Sequence, residues 1–200
     1  KRAGKVASYE FVRDGQTIFV APAVGHLYGL MAKPGQKGYP VFETMWAPSS
    51  ETGDNADFQK PYLALLNSLA KKADVIINAC DFDVEGETIG FNVLRYACGG
   101  KEAEALRAKF STLTRDELVE AFNEAKPQAG QGLARAGRAR HLIDFVWGVN
   151  LSRVLSQSAL SSGHRYRTVS VGRVQGPTLN FLVERELKIR EFVPVPFWKL

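Results

Sequence analysis

Three carboxylates lie close together in the stretch Asp81-Phe82-Asp83-Val84-Glu85, which follows directly on a short apolar run. Such a β-branched run is typical of a buried strand, and residues 85–97 have the pattern of the helix that follows it. Ligands of open α/β sheets bind outside the carboxyl ends of the strands. Carboxylates this close repel one another unless a cation lies among them, and Mg²⁺ prefers oxygen ligands. The spacing therefore favours a Mg²⁺ site formed by Asp81, Asp83 and Glu85.

A structural interpretation of the same stretch stays open. Asp81 and Asp83 can cap the following helix, while Glu85 and Glu87 can stabilise the positive end of its dipole. Gly86 permits a close approach of the backbone, which favours a binding site over simple capping. The acidic residues by themselves name no reaction.

Positive charge is concentrated in the second half of the chain. The formal net charge is +5, yet residues 1–100 carry ten Lys or Arg against eleven Asp or Glu, whereas residues 101–200 carry sixteen against ten. Within residues 131–190, nine of the ten basic residues are Arg. Surfaces that bind nucleic-acid phosphates have this distribution, although a solvated basic face would have it as well.

Two segments of this basic half could bind anions. The Gly-rich stretch 170–177 precedes a helix, so that backbone N–H groups, the helix dipole and the Arg173 guanidinium can converge on a phosphate. The alternative is a structural loop with an incidental Arg. On the helix before it, Arg140 and Asp144 are spaced i, i+4 and can pair, a spacing that favours an ordinary surface ion pair over a phosphate site.

Composition indicates a globular protein with a sizeable core. Its 200 residues, 45% of them hydrophobic and 24% charged, suit one large or two small domains. The sequence lacks the roughly 18 consecutive apolar residues of a membrane span, and it lacks a signal-peptide pattern. Cys80 and Cys98 are too few for a disulfide framework, which fits a reducing, cytoplasmic location. We expect both ends to be cut from a longer chain.

Alternating helices and strands predict an α/β fold with a mostly parallel, Rossmann-like sheet in the first part of the chain. We expect a hairpin over residues 6–21 around Arg13-Asp14-Gly15, followed by a turn-rich stretch over residues 24–57. The other elements predicted here are a helix at 59–73, a strand at 75–80, a helix at 85–97, a strand at 106–113, and a helix opened by a Thr114–Glu117 capping box.

The pattern becomes mainly helical after residues 125–131, which contain Pro127 and Gly130. It predicts a long helix over 133–160, a basic loop over 161–168 and a helix over 177–189, with an extended segment over 192–197. We therefore expect two domains, residues 1–126 and 127–200.

The order of the motifs resembles the type IA DNA topoisomerases. The matching motifs are the acidic stretch after a strand, Ala139-Arg140-His141-Leu142-Ile143-Asp144 on a helix, and Ser-x-Gly-Arg-Val-Gln at 170–175. The acidic motif fits any Toprim protein, whereas Gly-Arg-Val-Gln is specific to the type IA family. Residues 81–87 and 192–198 are most similar to the archaeal topoisomerase I and topoisomerase III branch. The similarity extends over essentially the whole chain.

This resemblance implies a Toprim domain over residues 1–126, without its first strand, and a helical single-stranded-DNA-binding domain over 127–200. It further implies that Asp81 and Asp83 hold Mg²⁺ with Glu85, and that Arg173 and Glu85 act in catalysis. Val84 and Gly176 depart from residues common in the family. The residues implied to contact DNA are His26, Arg138, Arg140, His141, Asp144, Ser170, Val171, Gly172, Arg173, Val174 and Gln175.

The family also uses two groups that lie outside this sequence. They are a Glu on the first Toprim strand and a tyrosine that forms a 5′-phosphotyrosine link before a strand passes and the break is resealed. We therefore expect part of an ATP-independent isomerase that binds single-stranded DNA without cleaving it, works with further domains and acts at the nucleoid. The alternatives are a Toprim nuclease or primase, and a non-catalytic single-stranded-DNA-binding module.

Overall fold

A computed structural model gives the architecture of residues 2–3, 6–36, 38–52, 57–128, 131–163, 165 and 167–199, with backbone alone for Arg2 and Ala3. The chain divides into two units. The first comprises Lys1–Lys33 and Thr44–Leu142, and the second comprises Pro34–Glu43 and Ile143–Leu200.

Short strands and helices alternate in the first unit. The strands are β1 (Arg2–Ala3), β2 (Val6–Ala7), β3 (Tyr9–Arg13), β4 (Gln16–Val20), β5 (Tyr28–Ala32), β6 (Thr44–Pro48), β7 (Ile77–Asn78), β8 (Leu106–Arg107) and β9 (Lys126–Pro127). The helices are α1 (Ser49–Thr52), α2 (Lys60–Ala70), α3 (Val84–Asn92) and α4 (Arg115–Asn123), and a π-helical turn, Val93–Ala97, continues α3.

The hairpin predicted near the N-terminus is confirmed. Strands β3 and β4 pair antiparallel, and the last pair of the ladder is Arg13 opposite Gln16. Asp14 and Gly15 form the turn with φ of 51° and 78°, the left-handed conformation that a two-residue hairpin turn requires. Asp and Gly are residues that accept this conformation, which is why the sequence shows the turn clearly.

Residues 24–57 hold a strand pair that their composition concealed. Strands β5 and β6 pair antiparallel from Tyr28 opposite Pro48 to Ala32 opposite Thr44. Leu27 and Tyr28 are buried there and form a core cluster with Ala97. Half of the glycines and prolines that suggested turns lie in the connection between the two strands.

The mostly parallel sheet predicted for the first part of the chain is not found among the described strands, because only β7 and β8 pair parallel and the sheet at the acidic junction is small and mixed. Strand β7 pairs parallel with β8, and β8 pairs antiparallel with β9. The strands predicted at 75–80 and 106–113 shorten to two residues each. The side chain of Arg107 donates to the carbonyls of Asn78 and Ala108, and the Asn78 carbonyl also accepts from Ala108 N–H at 3.0 Å.

Three predicted helices are confirmed. The helix predicted at 59–73 is α2, the one at 85–97 is α3 with its π-helical turn, and the one opened at Thr114 is α4. The capping box at α4 is not formed. Thr114 lies at the N-cap without a side-chain cap. Glu117 instead accepts from the backbone N–H groups of Ser111 and Thr112, because its side chain reaches past the cap to the loop.

The second unit contains the C-terminal part of α5 (Gly132–Ser161) and α6 (Gln175–Arg190). Both predicted helices are confirmed, and α5 runs through its internal glycines without a break. The segment predicted to be extended at 192–197 has no regular secondary structure.

Asn150 anchors residues 34–43 to α5, because its side-chain amide accepts from Val41 N–H (2.6 Å) and donates to Val41 C=O (2.8 Å). No described helix is both long and apolar enough to cross a bilayer.

A buried ion pair joins the elements around the acidic junction. Arg107 and Glu87 have side chains that are 2% and 5% exposed, with Nε of Arg107 2.7 Å from Oε1 of Glu87. The same guanidinium donates to the carbonyls of Asn78, Ala108 and Asp81. Strand ends, the acidic loop and α3 are therefore held by one side chain.

Replacing Arg107 by Met would leave Glu87 as an unpaired charge in the interior. We expect Arg107→Met to lower the free energy of unfolding by about 3 to 5 kcal/mol, measured by urea denaturation. A double variant, Arg107→Met with Glu87→Met, removes both charges and should recover part of the loss. Unchanged stability of the single variant would contradict this role for Arg107.

Candidate metal and nucleic-acid site

The acidic loop between β7 and α3 is fixed by two local contacts. Asp83 is the N-cap of α3, and its Oδ1 accepts from Gly86 N–H at 2.7 Å. A Cβ at Gly86 would lie 2.2 Å from the carbonyl oxygen of Asp81, so only glycine permits the first turn of α3 to pack on this backbone. The close approach expected of Gly86 is confirmed.

The carboxylates of this stretch have three different environments. Asp81 and Asp83 are exposed, whereas Glu87 is buried against Arg107. Within the part of the chain that the structure describes, no group donates a hydrogen bond to the Asp81 carboxylate, and the cap occupies one oxygen of Asp83. Mg²⁺ is usually held by one or two carboxylates with several waters, so these two residues fit such an ion.

Glu85 lies in a cluster of cationic and imidazole groups. Its Oε2 is 2.9 Å from Nε2 of His26 and 3.3 Å from Nε2 of His141, while Arg140 donates to its Oε1 at 3.2 Å. The two imidazole rings stack at an angle, with centroids 4.7 Å apart, and Trp46 packs on His141. The structure thus brings together His26, Glu85, Arg140 and His141, which come from three separate stretches of the sequence.

Burial and charge set the protonation of this cluster. Burial, with the nearby His141, lowers the pKa of His26 below its ordinary value in spite of the hydrogen bond to Glu85. Burial by itself would raise the pKa of Glu85, but the hydrogen bonds and charges of His141 and His26 together lower it. His26 is therefore neutral and Glu85 ionised at neutral pH. In this state Nε2–H of His26 donates to the carboxylate.

His26, Glu85 and His141 also form a set of potential metal ligands, with donor atoms within 4.8 Å of one another. Two observations favour a hydrogen-bonded cluster instead. Arg140 brings a positive charge to the same carboxylate, and Nδ1 of His26 is buried with no partner among the described residues. A metal on Nε2 would require a proton on that buried Nδ1, where no described residue accepts it. Asp81 and Asp83 do not join Glu85 in a set of this kind among the described residues.

Arg138 packs among aromatic rings. Its guanidinium carbon lies 4.8 Å from the ring centroid of Trp46 and 5.0 Å from that of Phe91. It also donates to Asn92 Oδ1 and to the hydroxyl of Tyr96. These contacts fix the side chain in the first unit, and its predicted DNA contact would have to use the donors that stay exposed.

In the second unit, Arg173 pairs with Asp144. Nε and a terminal nitrogen of Arg173 donate to the two carboxylate oxygens of Asp144, and both side chains are about two-fifths exposed. The hydrogen bond to Asp144 raises the pKa of Arg173 further above its ordinary value. Helix α6 begins at Gln175, two residues before Pro177, so the Gly-Arg-Val-Gln stretch leads directly into a helix N-terminus. Ser170, Val171, Gly172 and Val174 form the rest of that stretch.

Two serines that no sequence motif singled out hold the chain ahead of Arg173. Ser152 and Ser156 of α5 bond through their hydroxyls to the backbone of Val171 and Val169. A signal was present in the sequence, since Gly148, Ser152 and Ser156 are small residues four apart on one helix face.

Comparison with known proteins finds two families in succession along the chain. Residues 3–113 match the Toprim domain, and residues 128–200 match a family described as DNA topoisomerase. These matches lie on either side of the domain boundary expected at 126–127.

Curated relatives named DNA topoisomerase 1 cover nearly all of this chain. The protein of Pyrococcus furiosus is 47% identical over 193 residues, which are 96% of this chain and 18% of the relative. That of Pyrococcus horikoshii is 46% identical over 193 residues, 96% of this chain and 28% of the relative. That of Methanothermobacter thermautotrophicus is 42% identical over 199 residues, 99% and 27% respectively. The chain therefore spans only 18 to 28% of the length of these relatives.

Packing of α5 on α3 depends on Gly137. A Cβ there would lie 1.9 Å from Oγ1 of the buried Thr88 and 2.9 Å from the carbonyl oxygen of Val84. We expect Gly137→Ala to lower the free energy of unfolding by about 1 to 3 kcal/mol in urea denaturation, because the added methyl group overpacks this contact.

Gly148→Ala on the same helix is the matched control. Its Cβ would lie 3.5 Å from the nearest atom, an ordinary contact. Higher helix propensity should make this variant as stable as the unsubstituted chain, or up to about 1 kcal/mol more stable. The same effect at both glycines would contradict the close packing at Gly137.

Proposed function

The chain belongs to the type IA family of DNA topoisomerases, and we propose that it is part of an enzyme that breaks and reseals one DNA strand. In such an enzyme a tyrosine forms a 5′-phosphotyrosine link, another strand passes and the 3′-hydroxyl reverses the bond. The product is relaxed or decatenated DNA, and the reaction needs no ATP. The observation that carries this proposal is a pair of exposed carboxylates, Asp81 and Asp83, at a strand end of the Toprim-matching segment.

Asp81 and Asp83 would hold Mg²⁺, whereas Glu85, which is engaged by His26, His141 and Arg140, would not be a direct ligand. The ion would supply charge neutralisation at the scissile phosphate when bound. Glu85 would serve in catalysis by holding Arg140: the guanidinium that donates to Oε1 can exchange the carboxylate for a DNA phosphate. The imidazoles of His26 and His141 would keep Glu85 in place during that exchange.

Arg173 would position the phosphate in catalysis. Asp144 holds two of its nitrogens, which leaves further guanidinium donors for a phosphate oxygen. The helix N-terminus that follows adds backbone donors of the kind that bind phosphates. Other DNA contacts in this proposal come from Arg140, Arg138, His26, His141 and the stretch Ser170–Gln175, and the preferred substrate is single-stranded DNA.

Residues 1–126 would act as the Toprim domain and residues 127–200 as a helical DNA-binding domain. Further domains of the longer enzyme would supply the tyrosine and the Glu of the first Toprim strand. We place its work in the cytoplasm, at the nucleoid, because DNA is the substrate. A Toprim nuclease or primase and a non-catalytic single-strand binder are the alternatives that the following experiments distinguish.

The first test removes charge from the acidic loop without removing the helix cap. Asp83→Asn retains a good N-cap residue, and Asp81→Asn keeps the side-chain volume. In the full-length enzyme we expect the double variant to lose Mg²⁺-dependent relaxation by at least about a hundredfold while single-strand binding is retained. Asp116→Asn, an exposed acid in the first turn of α4, is the control. Undiminished relaxation would show that the carboxylates are structural.

The second test uses the 200-residue chain itself. We expect it to bind a single-stranded oligonucleotide with an affinity that falls steeply with salt, as measured by fluorescence anisotropy, because Arg side chains displace counterions from phosphates. Incubation with Mg²⁺ should leave the oligonucleotide intact on a denaturing gel. Cleavage by this chain would favour the nuclease alternative.

A further inference from the structure

Ser152 and Ser156 face an extended backbone segment in the second unit. The hydroxyl of Ser152 accepts from Val171 N–H at 2.9 Å and donates to Val171 C=O at 3.3 Å. The hydroxyl of Ser156 accepts from Val169 N–H at 2.8 Å. Ser156 is buried, at 4% exposure. Three hydrogen bonds from two side chains on one helix face thus hold the segment 169–171.

The spacing of these hydrogen bonds indicates which side of the segment's backbone faces α5. In extended backbone, N–H and C=O groups of alternate residues point to the same side. Val169 and Val171 face α5, so the backbone polar groups of Ser170 point away from it. Ser170 is exposed and both valines are half-buried.

Small residues on α5 leave room for this segment. Gly148 lies one turn before Ser152, and its Cβ position is 3.5 Å from the carbonyl oxygen of Val171. Val171 is two residues before Arg173, so its placement fixes where the Arg173 side chain begins.

We propose that Ser152 and Ser156 are positioning residues for DNA binding: their hydroxyls hold residues 169–171 on α5, which presents Ser170 outward and sets Arg173 for a phosphate. The inference rests on the proposed role of Arg173 in binding single-stranded DNA. The serines do not touch the DNA in this account, and they act through the backbone of the segment.

The salt dependence of DNA binding can distinguish a serine that positions Arg173 from one that only stabilises the fold. We expect Arg173→Ala in the 200-residue chain to weaken binding of a single-stranded oligonucleotide by about tenfold and to reduce the slope of log K against log salt by about 0.7. Ser152→Ala should weaken binding about three- to tenfold and reduce the slope in the same direction. The double variant should bind no more weakly than Arg173→Ala, because both changes remove one phosphate contact.

Two further variants serve as controls. Ser158→Ala alters an exposed serine on the same helix and should leave affinity and slope unchanged. Ser152→Thr keeps the hydroxyl and should recover most of the lost affinity. A purely structural serine would lower stability without changing the slope, and its effect would add to that of Arg173→Ala.

Amide hydrogen exchange gives a readout that needs no variant. The N–H groups of Val169 and Val171 should exchange markedly more slowly than that of Ser170. Equal, rapid exchange at all three would overturn the inference, as would an unchanged slope in Ser152→Ala where Arg173→Ala reduces it. If Arg173→Ala itself has no effect, the proposed role of Arg173 is wrong, and the exchange pattern still reports whether the serines hold the segment.

Discussion

The first unit depends on the guanidinium of Arg107, which is buried where strands β7 and β8, the acidic loop and helix α3 converge. It offers donors to Glu87 and to the carbonyls of Asn78, Ala108 and Asp81. A buried cation is costly unless its donors are satisfied, and here protein oxygens satisfy them. The resulting constraint fixes the backbone of the loop from which Asp81 and Asp83 project.

The carboxylates of the acidic stretch have different partners and different roles. Glu87 neutralises Arg107 in the interior, and Glu85 is held by two imidazoles and Arg140. Asp81 and Asp83 keep carboxylate oxygens at the surface, where they are accessible to a divalent cation. The proposed ion site therefore stands on a loop whose backbone is already held in place.

Local patterns predicted the helices and the first hairpin, because helical periodicity and the Asp14-Gly15 turn act within a few residues. The β5–β6 pair was missed since its strands are separated by a long connection rich in Gly and Pro. Pairing of Arg107 with Glu87 joins residues 20 apart along the chain, and that of His26 with Glu85 joins residues 59 apart. No short-range spacing indicates such contacts. The motifs indicate candidate site residues, whereas the small residues four apart on α5 indicate a close contact without its partner, which is the segment 169–171.

We expect a divalent cation to bind at Asp81 and Asp83 and not at the His26–Glu85–His141 cluster. Anomalous diffraction from crystals of the chain soaked in Mn²⁺, which takes the same oxygen ligands as Mg²⁺, would locate the ion directly. An anomalous peak should lie within coordination distance of carboxylate oxygens of Asp81 and Asp83. A peak between the two imidazoles, with none at the aspartates, would contradict it.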